Sequence, residues 1–119
     1  MIILENLTKK ITADGVNHNY IYRLVKSQVS VLMYGELTNV HAYGIEIESQ
    51  DIVDGTIVHI QRDCVENISP QRYKVKNLLK MVYDNTVSPI HMIDILGEYI
   101  DEYTSDFDEN LNCIAIASN

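Results

Sequence analysis

Positive charge runs out two thirds of the way along this sequence: no lysine or arginine follows Lys80, although the chain continues to residue 119. Residues 1–80 carry nine Lys/Arg and nine Asp/Glu and sum to zero, so residues 81–119, with eight Asp/Glu, hold the whole net charge of −8. That balance argues against nonspecific nucleic-acid binding, which depends on cations that neutralise phosphates. It reads either as an acidic helix face with a solubilising end or as an acidic arm that docks on, or screens, a basic surface. Tryptophan is absent and phenylalanine occurs once against eight tyrosines, so the large core side chains carry hydroxyls that need partners when buried. Only two cysteines are present, Cys64 and Cys113, and they fit neither a C-x-x-C pair nor a zinc spacing, so they read as reduced thiols. No apolar run approaches the roughly 20 residues that span a bilayer. The opening Met-Ile-Ile-Leu-Glu is too short an apolar stretch for a signal peptide, and the expected location is cytoplasmic, away from membranes.

What is present suits one small globular domain: 46% hydrophobic and 22% charged residues in 119. Residues 1–17 are ambiguous. Ile3, Leu7 and Ile11 recur at helical spacing while Ile2–Leu4 could start a strand, and Asp14-Gly15 marks a turn. From Tyr20 to about Asp63 the pattern is that of strands. Val29, Val31 and Met33 alternate, a loop is expected around Gly35–Asn39, and residues 42–48 set Tyr43, Ile45 and Ile47 against Glu46 and Glu48, as in a sheet with one wet face. Asp54-Gly55 is the preferred pair for a type I′ hairpin, and Thr56–Gln61 alternates again.

Two helices follow, each opened by Ser-Pro. Ser69-Pro70 begins a helix to about Asp84 with Val75, Leu78, Leu79 and Val82 on one face. Ser88-Pro89 begins a second to about Tyr103, so broadly apolar that it is wedged between layers or left in part for another chain. The expected fold is α+β: an antiparallel sheet of at least three strands followed by two helices on one face, within a single domain over 18–104. Residues 105–119 form an acidic tail, open between disorder and a late edge strand.

Chemistry-bearing candidates are few. Ser88, His91 and Asp94 invite a triad reading, but an N-capping serine spends its hydroxyl on a backbone N–H, and no oxyanion element accompanies it. His91, Asp94 and Glu98 share a helical face and form a candidate polar site for a metal or small ligand, with His41 and His59 as distant additions; the strong helical signature, two histidines four apart, is missing. Arg72, Lys76 and Lys80 make a basic stripe that could contact an anion or a nucleic acid, or border the core with their stems. Tyr20, Tyr22, Tyr34 and Tyr43 suit cross-strand packing. Met92, Ile95, Tyr99 and Tyr103 on the last helix are the candidate interaction surface, for a protein partner or for self-association. No catalytic constellation and no cofactor motif emerges, and the expected role is a non-enzymatic interaction or regulatory module.

Tyr43-Gly-Ile-Glu-Ile in a strand and Ser88-Pro-Ile-His-Met-Ile-Asp opening the last helix resemble a family of small bacterial proteins of unknown function, common among anaerobic Gram-positive bacteria: domain of unknown function 6514. The resemblance covers roughly residues 20–103. It implies a short sheet followed by two helices and a bacterial cytosolic setting, and transfers no catalytic residue.

Overall fold

A computed structural model describes the backbone of residues 1–117, with the side chains of all of these except 31–33, 104 and 108–117. The expectations for Val31 and Met33, for the Cys113 thiol and for the apolar end of the chain fall outside the described side chains. Four strands form one antiparallel sheet in sequence order: β1 Ile2–Ala13, β2 Val16–Met33, β3 Glu36–Val53 and β4 Thr56–Ser69. The helices are α1, Arg72–Asp84, and α2, Met92–Ala117, the latter entered through a 3-10 turn at Pro89–His91.

Every strand connection is a two-residue turn. Asp14-Gly15, Tyr34-Gly35 and Asp54-Gly55 all have positive φ at both positions, the type I′ geometry that matches the twist of the flanking strands. The loop expected over Gly35–Asn39 is therefore a tight turn with β3 beginning at Glu36. Its first residue is a tyrosine, which lacks the short polar side chain that normally marks a left-handed position. The ambiguous N-terminus is resolved as β1 by pairing with β2 from Ile2↔Lys26 to Ala13↔Val16. The molecule measures 62 × 22 × 19 Å, and its long axis is about the length of β2, 18 residues at roughly 3.4 Å each. Beyond Lys26 and Tyr43 the outer strands stop pairing, so residues 27–42 project as a two-stranded ribbon.

Register fixes the two faces. Leu7, Tyr22 and Ile47 lie in one row and Leu24, Ile45 and Val65 in the next, and these meet the helices. From α1 come Val75, Leu78, Leu79 and Val82, the four positions read from the sequence, and from α2 come Met92 and Leu96. Ser69 does not cap α1 directly: the N-cap is Gln71, whose N–H donates to Ser69 Oγ at 3.0 Å. Ser88 is the residue before the 3-10 turn, but its hydroxyl makes no cap bond there; its carbonyl accepts from the His91 N–H instead.

The opposite face carries no helix, yet it is not the wet face expected for Glu46 and Glu48. Both are buried, Glu48 to 3% exposure. Beside them β4 bulges between the pairs Ile45↔Val65 and Tyr43↔Ser69 and folds over Gly44. A Cβ on Gly44 would stand 1.9 Å from the Val65 carbonyl oxygen, so only glycine fits. Asn67 in the bulge accepts a 2.9 Å hydrogen bond from Ser27 on β2, spanning β3 and holding the curl.

As far as Ala117 the acidic segment is not an edge strand: α2 continues through it, and Asp106 within it is a buried anchor. Asp106 accepts from Lys74 Nζ at 2.8 and 2.9 Å and from Ser69 Oγ at 3.1 Å, which ties α2 to the junction of β4 and α1. Attraction to Asp106 holds the Lys74 ammonium pKa above its ordinary value.

Candidate functional site

The buried ionic cluster on the open face of the sheet was invisible as such in the sequence. Cross-strand register places Arg23 opposite Glu46 and Arg62 opposite Glu48. Arg23 Nη1 donates to Glu46 at 2.6 Å and to Glu48 at 3.3 Å, Arg62 Nε donates to Glu48 at 2.8 Å, and Gln50 Nε2 donates to its other oxygen at 2.6 Å. Burial alone would raise the Glu48 pKa, but the donors from Gln50, Arg62 and Arg23 outweigh it and hold the carboxyl below its usual range. Each charge is met by an opposite one, so the cluster specifies strand register rather than offering a free cation or anion to a ligand. Cys64 sits beside it, opposite Glu46, as a free thiol. Burial, with Glu46, Glu66 and Asp63 nearby, pushes its pKa up to about 11, which leaves it a poor nucleophile.

The residues singled out from sequence are dispersed. Arg72 and Lys76 both turn toward Glu5 on β1, Lys76 in direct contact and Arg72 at 3.7 Å, while Lys80 is exposed. The hydrogen bond from Lys76 lowers the Glu5 pKa. Two of the three stripe cations are thereby engaged within the chain, and the pairing partner, some 70 residues earlier, could not be read from local spacing. His91, Asp94 and Glu98 are all exposed on the outer face of the last helix. Among the described residues no group of three or more His, Cys, Asp or Glu side chains is arranged to hold a metal. His59 and His18 flank Asp51 on neighbouring strands, and His18 Nδ1 lies 2.7 Å from Asp51 Oδ1; His41 is remote, on the projecting ribbon.

The candidate interaction surface needs a correction. Met92 is fully buried and belongs to the core, and Tyr99 and Tyr103 are half-buried against it, with Lys74 over the Tyr103 ring at 5.0 Å. Ile95 alone of the four stays exposed. On this helix the uncovered apolar side chains are instead Ile90 (64% exposed) and Ile93 (50%) at its entry; others as exposed lie elsewhere, Leu37 and Tyr34 on the projecting ribbon and Ile60, opposite Gln50, on the open face of the sheet with Arg62. Ile90 and Pro89 border an open depression with Gln61, Arg62 and Asp63, which joins the helix entry to the free edge of β4. Helical spacing alone could not divide the apolar face of α2, because the division depends on how far the sheet extends beneath it.

Between α1 and α2 lies a tightly held connection, Asn85–Ser88. Thr86 has φ 50°, a left-handed conformation that β-branched residues avoid. Lys9 of β1 holds it: its Nζ donates to the Tyr83 carbonyl at 2.6 Å and to Thr86 Oγ1 at 3.0 Å, and lies 4.4 Å from the Tyr83 ring centre. Tyr22 completes the clasp, its buried hydroxyl donating to the Val87 carbonyl at 3.0 Å. Burial raises the Tyr22 pKa well above the ordinary tyrosine value.

No helix among the described residues is long and apolar enough to cross a membrane. The model of a family of unknown function, DUF6514, matches residues 1–102, and the chain belongs to that family. The match reaches Met1 and so takes in β1, which the resemblance from short motifs had left out. No curated protein and no solved structure matches the chain.

Proposed function

We propose that this domain is a non-enzymatic, cytoplasmic interaction module that associates with a second copy of itself through the apolar surface at the entry to α2, beside the edge of β4. The observation that carries this reading is the exposure of Ile90 (64%) and Ile93 (50%), three residues apart at the entry to α2, with Ile90 bordering an open depression at the β4 edge. Single exposed isoleucines are ordinary; a cluster at a sheet edge marks a contact surface.

Continuous strand pairing is not the mode of contact. Val58 is an extra residue between the pairs Ile52↔Ile57 and Asp51↔His59, and such a bulge blunts an edge against strand addition. Side-chain burial is left as the driving force. Four isoleucine side chains, two from each copy and each already about half covered, gain about 3–6 kcal/mol on full burial, against an association cost of about 4–15 kcal/mol. The result is a weak, concentration-dependent dimer. Sedimentation velocity over a wide concentration range tests it: wild type is expected to show a monomer–dimer equilibrium, and Ile90→Glu with Ile93→Glu, folded by circular dichroism, is expected to stay monomeric. A wild type that is monomeric throughout, or a folded variant that dimerises equally well, would overturn the proposal. A cytoplasmic setting is supported by Cys64 being a free thiol.

A further inference from the structure

We infer that the dimer is formed by exchange of α2 between two copies of this chain, with Asn85–Ser88 as the hinge and Lys9 as the latch that holds it closed. This inference rests on the self-association proposed above and states how it is built. Three observations carry it. The hinge is strained: Thr86, β-branched, sits at φ 50° in a connection of only four residues between α1 and the 3-10 turn, and opening the connection releases that conformation. Short connections under strain favour exchange of the element they tether.

Secondly, the named contacts that dock α2 are made to elements preceding the hinge. Met92 and Leu96 enter a core built from the sheet and α1, and Asp106 is gripped by Lys74 and Ser69. The α2 of a second copy satisfies these groups identically, so exchange loses none of them. Thirdly, the uncovered apolar surface lies beside the hinge. Ile90 and Ile93 follow Ser88 closely and Ile90 borders the β4 edge, so both stand where the two lobes of an exchanged dimer come together. A patch of this size is marginal by itself, and release of the strained conformation at two hinges adds to it.

Opposing the exchange is Lys9. Its ammonium bonds both the Tyr83 carbonyl, at the carboxyl end of α1, and the Thr86 hydroxyl, and these two contacts exist together only while the connection is folded back. The hinge and the latch therefore act with opposite sign. Thr86→Asn keeps a side-chain acceptor for Lys9 and tolerates the left-handed backbone, so it removes the strain and lowers the dimer association constant, by about tenfold for each of the two hinges. Lys9→Met keeps the stem, removes the latch and raises the association constant.

The decisive experiment adds Ser69→Cys and Asp106→Cys, at positions whose native Ser69 Oγ and Asp106 Oδ2 lie 3.1 Å apart, to a chain carrying Cys64→Ser and Cys113→Ser. After mild oxidation of the dimer fraction, denaturing electrophoresis without reductant separates covalent dimers from monomers. Sedimentation of the Thr86 and Lys9 variants runs alongside with the native anchor intact. Interchain disulfides together with opposite shifts in the two variants are the expected result. A dimer whose disulfides are all within chains overturns the exchange while leaving the surface contact standing, as do hinge and latch variants that shift in the same direction or not at all. Monomers throughout, in wild type and in Lys9→Met, overturn both proposals.

Discussion

Adding one methyl group at Gly44 should be among the most damaging single changes available to this protein. The substitution Gly44→Ala brings a Cβ to 1.9 Å from the Val65 carbonyl oxygen, 2.5 Å from that of Glu66 and 2.6 Å from the Glu66 carbonyl carbon. All three are backbone atoms, so no side chain can swing away. Relief requires the β4 bulge to lift by more than an ångström, which strains Tyr43↔Ser69 pairing and the Ser27–Asn67 bond and displaces Ile68, a fully buried neighbour of the bulge. Overpacking a core costs about 1–3 kcal/mol where side chains can adjust. With backbone as the obstacle and a buried residue displaced, about 3–5 kcal/mol is expected, a large part of the roughly 5–15 kcal/mol that holds a domain together. Gly97 supplies the control: it lies within α2, and a Cβ there meets nothing within 4 Å, so Gly97→Ala should stabilise by about 0.5–1 kcal/mol. Urea unfolding followed by far-ultraviolet circular dichroism measures both. A Gly44→Ala variant within about 1 kcal/mol of wild type would refute the steric argument, since no weaker perturbation fits a 1.9 Å approach.

Two further outcomes are expected. The Glu48 pKa is depressed in the folded state, so its ionic contacts add stability above the unfolded carboxyl value of about 4.3 and lose it as pH falls below that toward the folded value. Glu48→Gln should therefore flatten the acid limb of stability against pH, leaving the share from Glu5; an unchanged slope in urea titrations would show that the cluster is not ionised as drawn. Tyr22→Phe deletes the buried bond to the Val87 carbonyl and leaves that oxygen without its donor, which should cost about 1 kcal/mol and hasten hydrogen exchange in the hinge. Equal stability together with unchanged exchange at residues 85–88 would count against Tyr22 as part of the clasp.

Local chemistry is what the sequence by itself determined. Asp14-Gly15 and Asp54-Gly55 specify their turns because backbone at positive φ selects those residues, and Val75, Leu78, Leu79 and Val82 mark the buried side of α1 because 3.6-residue periodicity acts within a dozen residues. The α+β class and the split of charge at Lys80 follow from the same short-range reading. Tertiary structure decided everything that depends on a partner distant in the chain. Glu46 and Glu48 look like solvent-facing members of an alternating strand until Arg23 and Arg62 flank them and the bulge curls beside them. Lys76 looks like part of an anion stripe until Glu5, 71 residues earlier, takes its charge, and Lys9 becomes a latch only because Thr86 lies 77 residues onward. Met92 and Ile93 are equally apolar; the sheet reaches one and not the other. Periodicity fixes which side chains share a face, but burial and pairing are settled by what the fold brings opposite that face.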